Sequence, residues 1–592
     1  MTRLPVQRFP DRTLPAQLVA TAGRFGQKPF LHFFDPALPE APPRLVTYRD
    51  FRDLTARAAA FLAGCGLAPG ERVLLLAENS PEWLAVSLAT QALRAEPAGL
   101  FSVLSAGACE SIARRVKPRV IYVSSEAQWL KLAPAAADLV AAGLRAVLSH
   151  QPLPAGSLPP GLRAATVAEV MGPATAPLPD FDQRAAAVRE DDPFLLLFTS
   201  GTTGRQKGVR LRQRSIVTAV DCGVAGCQTR PDDLGLHLLP FGHVAGHDQL
   251  CLALAQGHTL AMIARKEDVP RALALSPTYV FSVPLVYERI RNQALAAIEK
   301  MPAPLRRLLE AGLAAGARVR VDGSRSLLDR LLGAIASALV GGKVRRGLGG
   351  RVRALFSGGA PAAAALFRFF EGLGLPFVEL YGMTETAGLI SMNPFTGPRR
   401  AGSVGFVTPD HEVRIAADGE LQVRGPLLLA GYLEPEDDAA AWTEDGFFRT
   451  GDLGRLDPDG SLWITGRKKA LLMLSTGKKF APEPVELAIA STLPFQGAVL
   501  LGEGMPYVTA AVFVAQDDLS RLAASGHHTP EALLGALRSA LAAFSDHERP
   551  KKLLVVPGAP TDYPELVTPT LKVKREAAVA FLGLRVAALY GK

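Results

Sequence analysis

Short runs of consecutive apolar residues alternate with longer Ala- and Leu-rich stretches through the first half of the chain. The runs 73–77, 120–123 and 194–198 are apolar throughout and predict strands. The stretches 51–64 and 81–94, which flank the first of these runs, predict helices. Strands without polar alternation are buried on both faces, and their alternation with helices is typical of sheets covered by helices. The pattern therefore predicts an α/β fold with layered, buried sheets.

The pattern changes after about residue 465. There the runs 508–514 and 553–556 predict strands that are separated by one helical stretch, 529–544. A unit of this size lies within the usual range for a domain. We therefore expect a large N-terminal α/β domain over residues 1–467 and a small, mobile C-terminal α+β domain over residues 468–592.

Composition narrows the class of protein. The 592 residues are 48% hydrophobic and 20% charged, which excludes intrinsic disorder. The cysteines, five in number, are too sparse for a disulfide scaffold and favour a reducing compartment. The N-terminal residues contain no apolar core of a signal peptide, and no run of about 18 apolar residues could span a bilayer. We expect a cytoplasmic protein.

Positive charge is concentrated in residues 289–353, which contain 14 basic and four acidic residues. Within this segment, apolar residues recur at helical spacing at Leu328, Leu331, Leu332, Ile335 and Leu339. They are flanked by Arg325, Arg330, Lys343, Arg345 and Arg346. A basic amphipathic helix is typical of proteins that lie on a membrane surface, so peripheral contact with the inner membrane surface is one interpretation. The other is a helix packed on its own domain. Nucleic acid binding is not expected, because no aromatic residues accompany the charge.

The segment Thr-Ser-Gly-Thr-Thr-Gly-Arg-Gln-Lys-Gly at 199–208 follows the apolar run 194–198 directly. Its three glycines allow a tight turn whose N–H groups point into one concavity, and its hydroxyls and Lys207 add donors and a positive charge. That combination suits a polyphosphate. The segment is not a Walker loop, because Lys207 is followed by Gly208 rather than by Ser or Thr.

Three further segments carry groups that suit a nucleotide. In Tyr-Gly-Met-Thr-Glu-Thr at 381–386, Glu385 is a lone carboxylate beside hydroxyls, a set that can hold Mg²⁺ together with phosphates, and Tyr381 can stack on a base. Asp452, within Thr-Gly-Asp-Leu-Gly, can accept both ribose hydroxyls. The basic segment 569–575 reads Pro-Thr-Leu-Lys-Val-Lys-Arg and would alone be only a surface patch.

Together and in this order, these segments resemble the motifs of the adenylate-forming (acyl-activating) enzyme superfamily. The resemblance covers nearly the whole chain and also includes Leu-Pro-Phe-Gly-His at 239–243, Ser-Gly-Gly-Ala-Pro at 357–361 and Gly-Arg-Lys-Lys at 466–469. The long connection between 290 and 357 and the form of the segment 569–575 are most similar to the long-chain fatty acyl-CoA synthetase branch. The resemblance implies activation of a fatty acid by ATP and Mg²⁺ to acyl-AMP, followed by transfer of the acyl group to CoA.

The resemblance also implies roles for individual residues in nucleotide binding. The β- and γ-phosphates of ATP would be wrapped by Thr199, Ser200, Gly201, Thr202, Thr203, Gly204 and Lys207. The adenine and acyl pocket would be lined by Gly359, Ala360 and Pro361. Tyr381, followed by Gly382, would stack on adenine. Asp452, with Arg467 nearby, would hold the ribose hydroxyls.

For the chemistry, the resemblance implies a second set of roles. Thr384 would contact the α-phosphate, and Glu385 would bind Mg²⁺. His243 would lie beside the acyl carboxylate. Lys572 would bridge this carboxylate and the α-phosphate as charge develops, and Lys469 would be the hinge between the two domains.

The chain departs from the family pattern near the hinge, where Ala470 stands in place of a frequent acidic residue and 475–479 replaces a typical Gly-Gly-Lys-Asn segment. Both departures lie where the family builds its thioester-forming conformation. Two alternatives to a CoA ligase therefore stay open: a ligase that loads the pantetheine of a carrier protein, and a non-catalytic acyl-binding or membrane-scaffold protein on the same fold.

Overall fold

The computed structural model describes residues 4–199, 205–397, 399–568 and 573–590. Its strands, in chain order, are β1 (Pro29–Phe34), β2 (Arg44–Thr47), β3 (Arg72–Leu76), β4 (Glu96–Leu100), β5 (Val120–Val123), β6 (Ala146–Ser149), β7 (Arg163–Thr166), β8 (Pro193–Thr199), β9 (Lys207–Arg212), β10 (Leu234–His237), β11 (Thr259–Ile263), β12 (Tyr279–Ser282), β13 (Ala354–Ser357), β14 (Phe377–Tyr381), β15 (Ser391–Met392), β16 (Phe406–Val407), β17 (Glu412–Ile415), β18 (Glu420–Arg424), β19 (Gly431–Tyr432), β20 (Phe448–Leu456), β21 (Leu462–Arg467), β22 (Leu472–Met473), β23 (Lys479–Phe480), β24 (Phe495–Leu501), β25 (Thr509–Val514) and β26 (Lys552–Pro557).

The α-helices are α1 (Leu14–Phe25), α2 (Tyr48–Gly64), α3 (Pro81–Ala92), α4 (Ala106–Val116), α5 (Glu126–Leu130), α6 (Ala136–Ala141), α7 (Val167–Met171), α8 (Phe181–Ala186), α9 (Gln213–Cys227), α10 (Val244–Gln256), α11 (Val269–Ala274), α12 (Pro284–Glu299), α13 (Ala303–Arg320), α14 (Leu327–Ala336), α15 (Gly342–Gly347), α16 (Ala364–Gly372), α17 (Glu483–Ala490), α18 (Gln516–Ala524), α19 (Pro530–Ala536), α20 (Arg575–Leu582) and α21 (Leu584–Leu589). A π-helical segment, Ser337–Gly341, joins α14 to α15.

Two large sheets form the N-terminal part of the fold. One has the strand order β16-β15-β14-β13-β12-β10-β11-β1-β2, and the other has the order β19-β9-β8-β4-β3-β5-β6-β7. The strands β3, β5 and β8 contain the apolar runs that predicted them, and their apolar side chains are buried. Helices α2 and α3 occupy the stretches predicted as helical. The predicted α/β fold is confirmed.

Smaller sheets follow in the chain. Strands β17, β18, β20 and β21 form an antiparallel sheet that carries the Asp452 segment, and β24, β25 and β26 form a separate sheet with a core of its own. The stretch 529–544 differs from the single helix that we predicted. Helix α19 ends at Ala536, and a second helix, α18, precedes it. Gly535, with its low helix propensity, lies one residue before this end. The domain boundary between 467 and 468 stays a prediction.

A buried carboxylate ties together the N-terminal ends of three neighbouring parallel strands. Asp233 directly precedes β10 and accepts hydrogen bonds from the Thr278 hydroxyl (2.7 Å), before β12, and from Nε of Arg353 (3.0 Å), before β13. Burial would raise the pKa of Asp233, but the bonds from Arg353 and Thr278 outweigh it, so the pKa lies below its ordinary value. The ionised form is therefore the one that holds these strands in register. Their opposite, carboxyl ends are where ligands bind in open α/β sheets.

We predict that Arg353→Ala destabilises the protein by about 3–5 kcal/mol, because it leaves the Asp233 carboxylate buried without its cation. Thermal unfolding at pH 7 measures the effect as a lower Tm. The matched control is Arg351→Ala, which removes an exposed arginine two residues away and should leave Tm unchanged. Equal Tm values for the two variants would contradict the role of Asp233.

Candidate active site

A cavity of about 670 Å³ opens at the carboxyl ends of β13 and β14. Nine of the site residues predicted from the sequence line this cavity: Thr199, Lys207, His243, Gly359, Gly382, Thr384, Glu385, Arg467 and Lys469. They lie in or directly after strands of both large sheets, at the start of α10, at the end of β21 and in the segment that follows β21. The motifs, which are far apart in sequence, therefore meet at one cavity.

Glu385 is held at this cavity by a residue that the sequence did not select. The Tyr432 hydroxyl donates a hydrogen bond to Oε1 of Glu385 (3.0 Å), and the backbone N–H of Leu429 donates to the Glu385 carbonyl (2.8 Å). Burial raises the pKa of the Glu385 carboxyl, while its own backbone N–H, the Tyr432 hydroxyl, Arg467 and Lys207 favour the ionised form. A lone carboxylate near the phosphate loop fits Mg²⁺, which takes one or two carboxylates and completes its shell with phosphates and water.

Lys207 lies in the same corner of the cavity. Its ammonium nitrogen is 4.9 Å from the centre of the Tyr432 ring and 3.2 Å from Oδ1 of Asp437. Asp437 also pairs with Arg205 at 2.8 Å. These contacts position the lysine directly after the loop, and a bound phosphate would compete with Asp437 for it. Neither Tyr432 nor Asp437 was selected from the sequence.

Asp452 joins two of the predicted nucleotide ligands. Its Oδ2 accepts a hydrogen bond from the Tyr381 hydroxyl (2.6 Å), and its Oδ1 accepts one from Nε of Arg467 (2.8 Å). Strands β20 and β21 pair Asp452 directly with Arg467, which explains the second contact. Burial and the Asp452 carboxylate raise the pKa of Tyr381 well above its ordinary value, so this phenol stays a donor. The three residues form one unit beside the cavity.

His243 is the N-cap of α10, and its Nδ1 accepts a hydrogen bond from the backbone N–H of Ala245 (3.2 Å). The imidazole thus has a structural task and also lines the cavity. Gly359 has a φ of +79°, a conformation that favours glycine. Ala360 and Pro361 are not among the lining residues described, and Pro361 is exposed. Their role in the pocket stays a prediction.

Several predicted residues lie outside the described part of the chain. These are Ser200, Gly201, Thr202, Thr203, Gly204 and Lys572. Their flanking residues Thr199, Lys207 and Thr568 all contribute to the cavity lining. Lys469 lies in the turn Lys468–Ala470, which links β21 to β22. Its role as a hinge stays a prediction.

Comparison with known proteins assigns this site to a family. The profile of the AMP-binding enzyme family matches residues 18–433, and that of the AMP-binding enzyme C-terminal domain matches residues 469–592. The chain belongs to the AMP-binding enzyme family. The predicted membership of the adenylate-forming superfamily is therefore confirmed.

Individual members of the AMP-binding enzyme family extend this result. The chain is 32% identical over 578 residues to the long-chain-fatty-acid–CoA ligase FadD15 of Mycobacterium bovis, an alignment that covers 92% of both proteins. It is 28% identical over 525 residues to the long-chain-fatty-acid–CoA ligase heimdall of Drosophila melanogaster, covering 85% of this chain and 76% of that protein. The adenylation domain of a carboxylate reductase from Mycobacterium chelonae shares the fold, with a TM-score of 0.74, 20% identity and coverage of 99% of this chain and 92% of that one.

For this AMP-binding enzyme, we predict that Asp452→Ala weakens AMP binding by about 10- to 100-fold, the usual loss for a hydrogen bond to a charged group. The substitution removes the acceptor that Tyr381 and Arg467 share. Isothermal titration with AMP measures the change. The control is Asp459→Ala, in the turn between β20 and β21, whose carboxylate pairs with Arg400 rather than with Tyr381 or Arg467 and which should bind AMP as the parent does. Unaltered affinity in Asp452→Ala would contradict the contact with nucleotide.

Proposed function

We propose that the protein converts a long-chain fatty acid, ATP and CoA into acyl-CoA, AMP and pyrophosphate. The observation that carries the proposal is the 32% identity to a long-chain-fatty-acid–CoA ligase along 92% of the chain. The cavity supports it, because the lining combines charged residues of the nucleotide motifs with an apolar compartment. That compartment includes Val220, Leu252, Phe281, Phe356 and Leu380.

The depth of the cavity suits a long acyl chain. His243, Gly359 and Gly382 lie beyond the carboxyl ends of β10, β13 and β14, whereas Tyr279 begins β12 and Thr229 precedes β10. Because residues at both ends of the strands line it, the cavity extends along the strands from their carboxyl ends to their N-terminal ends. A strand of four residues spans about 13 Å, so an extended hydrocarbon can enter lengthwise from the charged end.

Two displacements account for the products. In the first, an oxygen of the fatty carboxylate attacks the α-phosphorus of ATP, and the bond from this phosphorus to the bridging oxygen breaks as pyrophosphate leaves. Lys207, Thr384 and Lys572 supply donors to the charge that develops on phosphate and carboxylate, which is pre-organised electrostatic stabilisation. In the second, the CoA thiol attacks the acyl carbonyl, its proton is lost and AMP leaves. Glu385 would hold Mg²⁺, which neutralises phosphate charge when it is bound.

Contacts between the two parts of the chain are compatible with domain movement between these steps. Arg289 on α12 donates to the Thr561 hydroxyl (2.6 Å), and Arg291 donates to the Ser491 carbonyl (3.0 Å). Polar contacts of this kind are typical of interfaces that separate and re-form. Movement of the C-terminal part about Lys469 would let one cavity serve adenylation and thioester formation in turn.

The test of this function is a panel of carboxylic acids of graded chain length with ATP, Mg²⁺ and CoA, read as AMP release and acyl-CoA formation. We expect turnover to require CoA and to be highest with long-chain acids. The Lys572→Ala variant tests the role of this lysine. Its fatty-acid-dependent ATP–pyrophosphate exchange should fall by about 10²–10³-fold, the usual effect of removing one such donor. The same variant should still form thioester from supplied acyl-AMP. Transfer to a carrier-protein pantetheine but not to CoA would favour the carrier-protein ligase, and absence of AMP release with every acid would contradict the proposal.

We also propose that the helical segment 327–346 contacts an anionic membrane surface. Among the residues described, no helix is both long and apolar enough to pass through a membrane. Four leucines of this segment are nevertheless exposed: Leu327 (79%), Leu328 (63%), Leu331 (61%) and Leu339 (49%). We call them the leucine stripe. Burying one leucine is worth about 1.5–3 kcal/mol, so the stripe favours an apolar partner.

Charge around the leucine stripe selects the kind of partner. Arg325, Arg330, Lys343 and Arg346 are exposed beside it, and each basic residue near an anionic lipid surface is worth about 1 kcal/mol. Arg345, which the sequence placed in this set, is instead half-buried and donates to the Gly374 carbonyl (2.6 Å). Apolar side chains ringed by cations match a membrane interface that carries negative lipids, where the fatty acid substrate also partitions.

We predict that Leu327→Ser, Leu328→Ser and Leu331→Ser combined lower sedimentation with phosphatidylserine-containing vesicles at least tenfold. Changing Arg325, Arg330, Lys343 and Arg346 to Glu should have a similar effect, whereas neutral phosphatidylcholine vesicles should bind the parent weakly. The control is Leu38→Ser with Leu45→Ser, two leucines near β2 that are 58% and 57% exposed. Equal binding by the parent and the stripe variants would contradict the membrane contact.

A further inference from the structure

One face of α10 forms part of the cavity wall. Ala245, Asp248, Gln249 and Leu252 recur at the spacing i, i+3, i+4 and i+7, and all four line the cavity. The helix begins beside His243, at the charged end. Asp248 lies five residues after His243, which at 1.5 Å per residue is about 7–8 Å along the helix axis. A carboxyl group is therefore placed partway along the compartment that would hold the hydrocarbon.

One oxygen of the Asp248 carboxyl lacks a hydrogen-bond partner in the described part of the chain. Its Oδ1 is buried and makes no hydrogen bond to any described residue. The carboxyl lies against Gly388, where an added Cβ atom would come within 2.1 Å of Oδ2. A buried polar atom without a partner lowers the stability of the fold. Such a group in an apolar cavity is unfavourable unless a bound ligand supplies the missing hydrogen bond.

Burial raises the pKa of Asp248 well above its ordinary value, and no cationic side chain offsets this. Burial therefore favours the protonated form of this carboxyl, which has one O–H to donate and an oxygen to accept. The neighbouring Gln249 already uses its amide, since Nε2 donates to the Leu236 carbonyl (3.0 Å) and Oε1 lies 2.9 Å from Nδ1 of His237. Tyr279 likewise has His258 as partner, at 2.8 Å.

A second oxygen at the cavity wall is also without a partner. Oγ1 of Thr229, before β10, is buried and makes no hydrogen bond to the described chain. Asp248 and Thr229 thus both line the cavity, and each carries one oxygen without a hydrogen-bond partner among the described residues. An unsubstituted hydrocarbon would leave both without partners.

We propose that Asp248 selects fatty acids that carry a hydroxyl group within the chain, several carbons from the carboxylate. This inference rests on the proposed function and defines its substrate class more closely. The substrate hydroxyl accepts a hydrogen bond from the O–H of protonated Asp248 and donates its own hydrogen to an acceptor oxygen of the cavity wall. A plain acyl chain cannot make these hydrogen bonds and leaves the Asp248 carboxyl without a partner. The enzyme therefore prefers the hydroxylated acid because the plain acid leaves a polar group of the protein unpaired.

The experiment measures kcat/KM for dodecanoic acid and for its positional hydroxy isomers, with ATP, Mg²⁺ and CoA in excess. We expect at least one internal isomer to match or exceed dodecanoic acid in the parent enzyme. In Asp248→Leu the ratio of hydroxy to plain substrate should fall about 10- to 100-fold, with turnover of the plain acid increased. Asp248→Asn, which still donates and accepts hydrogen bonds, should keep most of the parent ratio.

Two further measurements separate specificity from structure. Asp248→Leu should raise Tm, because it removes a buried polar group without a partner, and a large fall in Tm would make the residue structural and overturn the proposal. Asp232→Leu, at an exposed aspartate outside the cavity lining, is the control and should leave the ratio unchanged. If plain acids are activated but Asp248→Leu does not alter the ratio, this inference fails and the proposed function stands. If no acid releases AMP, the proposed function itself fails.

Discussion

The hydrogen bond from the Tyr432 hydroxyl to Glu385 is the contact on which the geometry of the site depends. Tyr432 lies in β19 at the edge of the eight-stranded sheet, next to β9, which begins with Lys207. Glu385 follows β14 of the nine-stranded sheet. The bond therefore joins the sheet that carries the phosphate loop to the sheet that carries the carboxylate. Because the Tyr432 ring also lies under the Lys207 ammonium, one side chain sets the distance between a cation and an anion.

The sequence predicted the parts of the site that are contiguous in the chain. An apolar strand followed by a glycine- and hydroxyl-rich loop can be recognised from a short stretch of sequence. Lys207, Glu385 and Asp452 could therefore be predicted as site residues before the structure showed that they lie at one site. Tyr432 and Asp437 could not, because their importance comes from a two-residue strand that pairs with β9, far away in sequence. Asp248 was equally hidden, since a polar residue on a helix is usually solvated. Only the packing of α10 against the cavity reveals that Asp248 lines it.

Several buried polar atoms near the site have no hydrogen-bond partner among the described residues. Besides Asp248 and Thr229, the Oγ atoms of Ser282 and Ser357 and Oε2 of Glu379 are buried and have no partner among the described residues. Ser282 and Ser357 end β12 and β13, and Ser357 pairs with Glu379 of β14. Burial raises the pKa of Glu379 to about 8. At the opposite ends of these strands, Oγ1 of Thr229 and Nη1 of Arg353, the cation that pairs with Asp233, also have no partner among the described residues. Unpaired polar atoms therefore occur at both ends of these strands.

The leucine stripe illustrates the same reasoning at the surface. Helices α13 and α14 pack through small residues: a Cβ at Gly312 would meet Leu332 and Ala336 within 3 Å, and one at Gly333 would meet Gly316. This close approach needs none of the stripe, because Leu327, Leu328 and Leu331 face away from the contact and remain exposed. A helical spacing in the sequence could not separate the leucines that build the hairpin from those that do not. Since the hairpin is complete without them, their exposed apolar surface is free for the contact with an anionic membrane that we propose, and the surrounding cations are compatible with it.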